Sequence, residues 1–215
     1  MKINKDIAIR VLIFIIVVLL IRLYFPEKSR IGNQNQYREN LKIVIIPMAG
    51  IPIDFKNSLR DALEEQHKGE VLVTTEFGRD VSMVLPGSGQ YNSNLLASRG
   101  GKIAEDVGVG NAFIVVLTNE DINQPDSGLR YSFSAHYNGL SVVSLARINP
   151  QNFGVTLDLI SIPIEFQIMK KRALKLLNKS IGYGLYGYEA SSDINSVMYG
   201  PIMGIDDLDK VGAGF

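Results

Sequence analysis

The residue types that could do chemistry are concentrated late in the chain, where a basic helix, a Gly/Tyr-rich turn and a Met-containing turn follow one another between Lys170 and Asp209. The helix is predicted from apolar residues that recur at three- and four-residue steps, the spacing of one buried face: Phe166, Met169, Ala173, Leu176, Leu177 and Ile181. Basic residues mostly fill the positions between them, which predicts a basic opposite face: Lys170, Lys171, Arg172, Lys175 and Lys179. Glycine tolerates the left-handed backbone that ends many helices, so we expect this helix to end between Gly182 and Gly184.

This order of elements resembles the metzincin zinc proteases, in which a helix carries H-E-x-x-H, the chain turns at a Gly, a third His follows, and a Met-turn lies beneath the site. Two imidazoles at positions i and i+4 face one way from a helix, a Glu beside the first acts as general base, and three neutral nitrogens leave one zinc position open for water. In the best register, Lys179, Ser180 and Tyr183 stand where His, Glu and His would be, and Glu189 stands at the third ligand. Met198 takes the Met-turn position.

The composition of the chain removes the usual zinc ligands. Its two histidines, His67 and His136, both precede the helix, so a three-histidine site cannot be built, and it has no cysteine for a thiolate site, a disulfide or a nucleophile. An ammonium at Lys179 would repel a dication, and Ser180 cannot take a proton from a metal-bound water as a carboxylate can. We therefore predict no bound metal, no cofactor and no catalytic residue.

Charge and spacing argue against other functional classes. The chain has 22 basic and 22 acidic residues, so it lacks the basic excess of a nucleic-acid-binding protein, and we expect no nucleic-acid partner. The glycines Gly182, Gly184 and Gly187 are not followed by the Lys-Ser/Thr of a phosphate-binding loop. The acidic residues near the C-terminus lack EF-hand spacing, and Asp206 and Asp207 are more simply a helix start.

The N-terminal stretch from Ile7 to Phe25 is apolar except for Arg10 and Arg22 and is close to the roughly 20 residues that a membrane-spanning helix needs. It lacks the small residues of a signal-peptide cleavage site, and it has no polar face that would suit a core helix. We predict an uncleaved single-pass membrane anchor at residues 7–25, within an N-terminal segment 1–28 that begins with a cytoplasmic stub. A polar linker at residues 29–40 would join it to a domain at residues 41–215, which we expect outside the cytoplasm.

Strands and helices alternate between the linker and the late helix. Strands are predicted from β-branched and apolar runs and helices from apolar spacing: a strand at Leu41–Met48, a helix at Phe55–His67, a strand at Glu70–Thr75, a helix ending at Val107, and strands at Asn111–Leu117, Tyr131–His136 and Leu140–Leu145. Asp54 would cap the first helix, His67 would be solvated at its end, and His136 would lie on the surface or a cleft wall. The last two strands would form a hairpin around Asn138 and Gly139. This order predicts an α/β (α+β) fold with a mixed sheet.

With these elements placed, the chain resembles the archaemetzincin family of metzincins from Leu41 to Asp209. Short segments in matching order and spacing carry the resemblance: Ile46–Pro47, Gln90–Ser93, Leu95–Leu96, Val116–Ile122 with Pro125, Tyr131–Ala135, Val142–Arg147, Lys179–Glu189 and Val197–Met198. The resemblance implies a metzincin-like mixed sheet with an active-site-type helix and a Met-turn. It also implies a catalytic zinc on three histidines, a Glu base and a second zinc on cysteines, and this sequence departs from each of those positions.

We expect a membrane-anchored pseudoenzyme of metzincin fold, a catalytically inactive binding or scaffold protein whose former active-site cleft binds a peptide or protein. Four tyrosines near that cleft suit amphipathic contacts with a ligand, and core packing is their alternative role: Tyr183, Tyr186, Tyr188 and Tyr199. An ion pair between Lys179 and Glu189 would fill the place of the metal.

Two alternative functions stay open. The first is a zinc-dependent metallopeptidase with an atypical metal site, built from Glu189, Asp193 or Tyr183 and using zinc as its cofactor. The second is a membrane-tethered assembly partner in which the cleft has no function. Zinc content separates the first alternative from the expected pseudoenzyme.

Overall fold

A five-stranded sheet carries the fold in the computed structural model, which describes residues 42–125, 127–149 and 163–215. In spatial order its strands are β2 (Glu70–Val73), β1 (Lys42–Pro47), β4 (Phe113–Thr118), β7 (Leu140–Ser144) and β6 (Ser134–Tyr137). The first four run parallel and β6 is antiparallel to β7, so the prediction of a mixed sheet is confirmed. β1 and β4 are rich in Val and Ile because both faces of a parallel sheet are covered by other elements.

Helices cover both faces of this sheet: α1 (Ile53–His67), α2 (Ser93–Val107), α3 (Pro163–Gly184) and the short α4 (Ile205–Lys210). α1 and α3 share one apolar layer with the sheet, and α2 belongs to a second layer. Phe55, Leu59 and Leu63 of α1 are fully buried, as their spacing predicts. Two further strands, β3 (Tyr91–Asn92) and β5 (Ile122–Asn123), form a separate two-stranded sheet.

The hairpin of β6 and β7 brings an edge strand against α3. Its turn contains Gly139 at a φ of 72°, a left-handed conformation that suits glycine. His136 lies opposite Ser141 in the register, and β6 is an edge strand among the described residues, as predicted. β6 begins at Ser134 because Ser132, which the sequence placed in the same strand, bridges to β5 instead.

Both ends of α1 differ from the sequence-based prediction. The helix begins at Ile53 with Pro52 at the N-cap position, and Asp54 lies in the first turn without capping it. Pro52 suits this position because its ring holds φ near the helical value, at −57°. His67 is buried, because α3 packs against the C-terminal end of α1 and hydrogen-bonds its imidazole. The predictions of an Asp54 cap and a solvated His67 are therefore wrong.

Other element boundaries agree more closely with the prediction. β2 ends at Val73 and β4 begins at Phe113, each two positions inside the predicted strand. α2 ends at Val107, as predicted, and the side chain of Asn92 caps its start by accepting a hydrogen bond from the backbone of Asn94.

The predicted anchor at residues 7–25 and the linker at residues 29–40 lie outside the described residues. In the part of the chain that the structure describes, no helix combines the length and the apolar character that crossing a membrane requires. The anchor, the linker and the boundaries between them therefore stay predictions.

Candidate functional site

α3 and the Met-containing turn pack directly against each other. Met198 is 3% exposed, and a Cβ built on Gly182 of α3 would lie 2.4 Å from its Sδ atom. No side chain fits at that distance without displacing Met198, so the glycine permits the close approach. Met198 thus packs against α3, and its assignment as the Met-turn residue stays a prediction.

Lys179 and Tyr183 project from the same face of α3, since they are four residues apart on a helix. Lys179 is 8% exposed, and its ammonium donates a hydrogen bond to the carbonyl oxygen of Tyr199 in the Met-turn. Its Nζ lies 5.9 Å from the centroid of the Tyr183 ring. Burial lowers the pKa of Lys179. A buried amine therefore occupies the helix face on which a metzincin carries its first two zinc ligands.

The basic face predicted for α3 is only partly exposed. Lys175 is 4% exposed, and its Nζ donates to the carbonyl oxygens of Leu208 and Asp209 at 2.8 and 3.0 Å. These carbonyls lie in the last turn of α4, where backbone acceptors lack helical partners. The prediction that Lys175 and Lys179 lie on an exposed basic face is wrong, because both reach backbone carbonyls of the C-terminal segment that packs on α3.

The hydroxyl of Ser180 is not available as a reactive group. It is fully buried, and its Oγ donates to the carbonyl oxygen of Leu176 at 2.8 Å, one turn earlier in α3. The hydroxyl of Ser180, which the sequence-based prediction places at the position of the metzincin Glu, therefore bonds to the helix backbone.

The two carboxylates considered as metal ligands lie on the exposed surface after α3. Glu189 and Asp193 are both exposed. The Oδ1 of Asp193 accepts hydrogen bonds from the backbone N and the Nδ2 of Asn195, at 2.9 and 3.0 Å. The ammonium of Lys179 is held by the carbonyl of Tyr199, and burial is the cause of its lowered pKa. A backbone contact therefore takes the place of the expected Lys179–Glu189 ion pair.

His136 joins the same face of α3 from the edge strand β6. Its ring centroid lies 4.9 Å from that of Tyr183. Although the residue is exposed overall, both ring nitrogens face serine hydroxyls, Nδ1 towards Ser141 at 3.0 Å and Nε2 towards Ser134 at 3.2 Å. Desolvation, and to a smaller extent the positive charge of Lys179, lowers the pKa of His136 to about 4. The imidazole is therefore neutral at neutral pH and lies against Tyr183 of α3.

Sequence reasoning missed the contact between His136 and Tyr183. It placed His136 on the surface or a cleft wall, but no local pattern connects a residue of the hairpin with a residue near the end of α3. The one usable signal was the Asn138–Gly139 turn, which sets the hairpin register but does not say what packs on its edge.

A second cluster lies on the neighbouring side of α3, around His67. Its Nε2 contacts the Oδ1 of Asn178 at 2.9 Å, and its Nδ1 contacts the hydroxyl of Tyr186 at 2.8 Å. The ring centroids of Tyr186 and Tyr188 lie 5.4 and 5.1 Å from that of Phe215. Tyr186 and Tyr188 therefore take the alternative role of packing, whereas Tyr183 belongs to the other side.

Three solved structures are similar to this chain in fold. The archaemetzincin from Archaeoglobus fulgidus, solved with malonate, has a TM-score of 0.62 and 19% sequence identity, over 81% of this chain and 95% of its own. The archaemetzincin from Methanopyrus kandleri has a TM-score of 0.63 and 21% identity, over 86% of this chain and 92% of its own. A zinc-dependent peptidase from Methanocorpusculum labreanum has a TM-score of 0.64 and 16% identity, over 80% of this chain and 95% of its own. This chain has an archaemetzincin-like fold.

No protein-family model matches the sequence, and no curated protein matches it significantly. The resemblance to archaemetzincins that the sequence predicted is confirmed as a resemblance of fold. Identities at this level say nothing about chemistry, so the chemistry of the site has to be judged from its side chains.

The archaemetzincin-like fold implies a zinc site on α3, and the side chains present there do not fit one. Zinc is bound by imidazole, thiolate and carboxylate groups, whereas this face carries the ammonium of Lys179, the phenol of Tyr183 and a single imidazole, that of His136. Within the described ranges, no three His, Cys, Asp or Glu side chains lie close enough together to hold a metal ion. The positive charge of Lys179 would also repel a dication placed beside it.

Proposed function

We propose that the protein is a membrane-anchored archaemetzincin-like pseudoenzyme that binds a peptide or protein segment in its cleft and does not hydrolyse it. The buried ammonium of Lys179, bonded to the Tyr199 carbonyl between α3 and the Met-turn, carries this proposal. A zinc ion on this face would require that amine to lose its proton or to leave its site, and both cost free energy.

Among the residues that the structure describes, no strand pairs with the outer edge of β6, and this supports a peptide as the ligand. The backbone N of Ser144 donates to the carbonyl of Phe133 at 2.9 Å, so the groups of Ala135 point towards β7 and those of Ser134 and His136 point outward. An extended segment can add to such an edge through backbone hydrogen bonds. Its side chains would then lie beside the ring of His136 and the face of α3 that packs on β6.

The predicted anchor at residues 7–25 would hold this cleft close to a membrane. With the N-terminus inside, the domain would lie outside the cytoplasm and meet ligands at or near the membrane surface. The linker at residues 29–40 is polar and would let the domain move relative to the anchor.

Zinc content decides between the pseudoenzyme and the alternative metallopeptidase with an atypical site. The full chain is purified in detergent, incubated with excess zinc, desalted, measured by inductively coupled plasma mass spectrometry and assayed with a quenched peptide library. We expect far less than one zinc ion per chain and no hydrolysis. Stoichiometric zinc that disappears in Glu189→Ala or Asp193→Ala, but not in the control Lys170→Ala, would overturn the pseudoenzyme.

Peptide addition to β6 is tested by removing one outward donor. Ser134→Pro deletes a backbone N–H that does not serve the ladder to β7, whereas Ser134→Ala keeps it. For fluorescein-labelled hexapeptides of Val and Thr, we expect Ser134→Pro to weaken binding about tenfold in fluorescence polarisation. Equal binding by both variants, or no binding by the wild type, would favour the tethered assembly partner in which the cleft has no function.

A further inference from the structure

We propose that the cleft holds a carboxylate of its ligand on the ammonium of Lys179, with the hydroxyl of Tyr183 as a second donor. The carboxylate would be an acidic side chain or the C-terminal group of the bound peptide. This inference rests on the proposed peptide-binding function and adds the chemical group that the cleft selects.

In the part of the chain that the structure describes, Lys179 has no counter-charge like those of the other buried lysines. Among the described residues, buried Lys56 forms an ion pair with Glu76, and the carboxylate of Asp209 acts on buried Lys175. Lys179 contacts a neutral backbone carbonyl, and burial is the cause of its lowered pKa. An ammonium has three N–H donors, and a buried charge without a counter-ion is unfavourable. An anion that enters here therefore gains a pairing that the protein alone does not provide.

The residues around the amine suit a small anion. A Cβ on Gly200 would lie 3.1 Å from the Nζ of Lys179, so the glycine keeps the Met-turn from crowding the amine. Tyr183 is half-buried one helical turn along the same face, and its phenol can donate a hydrogen bond. The charge of Lys179 contributes, after desolvation, to the lowered pKa of His136, and the ring of His136 lies 4.9 Å from that of Tyr183. The imidazole of His136 is neutral, so it adds no second positive charge to that of Lys179. A ligand with a single negative charge, such as a carboxylate, therefore suits this place better than a more highly charged one.

Peptides that differ in charge test the proposal. Hexapeptides of Val and Thr that carry an uncharged boron-dipyrromethene fluorophore are made in four forms: neutral and amidated, with one central Glu, with Gln in its place, and with a free C-terminal carboxylate. They are titrated with the full-length protein in detergent at neutral pH. We expect the Glu form or the free-carboxylate form to bind about tenfold tighter than its neutral counterpart, as a charge-assisted hydrogen bond would give. The form that gains affinity identifies the source of the carboxylate.

Lys179→Met separates this site from general electrostatics. Met keeps most of the length of the side chain without the charge, so the acidic preference should disappear and the Glu and Gln peptides should bind this variant equally. Lys171→Met removes an exposed lysine from the same helix and should leave the preference intact. An acidic preference that survives in Lys179→Met, or that is absent from the wild type, would overturn the proposal.

Acetate provides a test that needs no peptide. The chain has two histidines, so the ring protons of both can be followed by NMR. Acetate bound beside Lys179 should saturably raise the pKa of His136 towards its ordinary value, with His67 as internal control, and Lys179→Met should remove the effect. If no hexapeptide binds while acetate still acts on His136, the peptide-binding function fails and the carboxylate site stands. If peptides bind regardless of charge and acetate has no effect, the carboxylate site is overturned and the function stands.

Discussion

Two adjacent residues of α3, Asn178 and Lys179, lie in different environments. The Oδ1 of Asn178 accepts a hydrogen bond from the Nε2 of His67 at 2.9 Å, and its Nδ2 donates to the Oε1 of Gln66 at 2.9 Å. Lys179, the next residue, has a positive charge beside a neutral carbonyl of Tyr199. The polar groups on the Asn178 side pair with neutral partners, whereas the ammonium of Lys179 contacts a neutral carbonyl and forms no ion pair with any residue that the structure describes.

The difference between these environments distinguishes a side of α3 that serves packing from a side that would serve binding. Buried polar groups in folded proteins normally have partners, and the His67 cluster follows this rule with an amide and a phenol from α3 and the segment after it. Perturbed ionisable groups beside an open surface are instead typical of functional sites. The Lys179 side, with His136 and the edge of β6, is therefore the side on which a ligand would act.

The largest effect is expected where the two sides meet, at Gly182. Its Cβ position lies 2.4 Å from the Sδ of Met198 and 2.9 Å from the ring of Phe215, so a side chain there would push both away. We expect Gly182→Leu to lower the free energy of unfolding by about 3 kcal/mol, measured by urea denaturation. The control Gly101→Leu, at a helical glycine with no atom within 4 Å of its Cβ position, should have little effect. A similar loss in both variants would show that α3 does not depend on this contact.

Substitution of the two neighbours should give unequal losses. Asn178→Ala leaves the imidazole of His67 and the side chain of Gln66 without their partner, and we expect a loss of about 2 kcal/mol in unfolding free energy. Lys179→Met removes a buried charge and one hydrogen bond, so we expect a net change within about 1 kcal/mol of zero. If Lys179→Met proved the more damaging variant, the ammonium would be a structural group and the comparison would be reversed.

The smallest effect is expected in the dependence of stability on pH. The pKa of His136 is lowered from 6.5 to about 4, and burial lowers the pKa of His67 as well. Between these pH values the unfolded chain binds more protons than the folded one, so stability should fall as the pH falls from 6.5 towards 4. Part of His136 is exposed, and water reduces the size of its contribution.

Single histidine variants assign this pH dependence to one side of α3. His136→Gln should weaken the dependence of stability on pH. It should lower stability only slightly at neutral pH, because the contacts that it replaces are those with two serine hydroxyls. His67→Gln should flatten the slope and also destabilise the neutral protein, because the buried contacts with Asn178 and Tyr186 are lost. Urea denaturation across the acidic pH range measures both effects. If stability depends on pH as strongly in His136→Gln as in the wild type, His136 does not contribute to the pH dependence.

Patterns with a short period predicted much of the fold. The helix that ends at Gly184, the hairpin at Gly139 and the strands β1 and β4 follow from residue spacing and turn chemistry, which act within a few positions of the chain. The same local reasoning failed at His67 and Lys175. Both lie at polar positions of their helices, and each is covered by a segment that is distant in sequence.

By itself, the sequence determined what this site cannot contain: the chain has no cysteine, and both of its histidines precede α3, so no folding of it can supply the three imidazoles of a metzincin zinc site. Only the tertiary structure decided what stands there instead. The carbonyl of Tyr199 holds the amine of Lys179, and the edge strand brings His136 to Tyr183. The sequence alone shows which residue types are present. Contacts between distant segments depend on how the sheet and its helices pack, and no local sequence pattern encodes that packing.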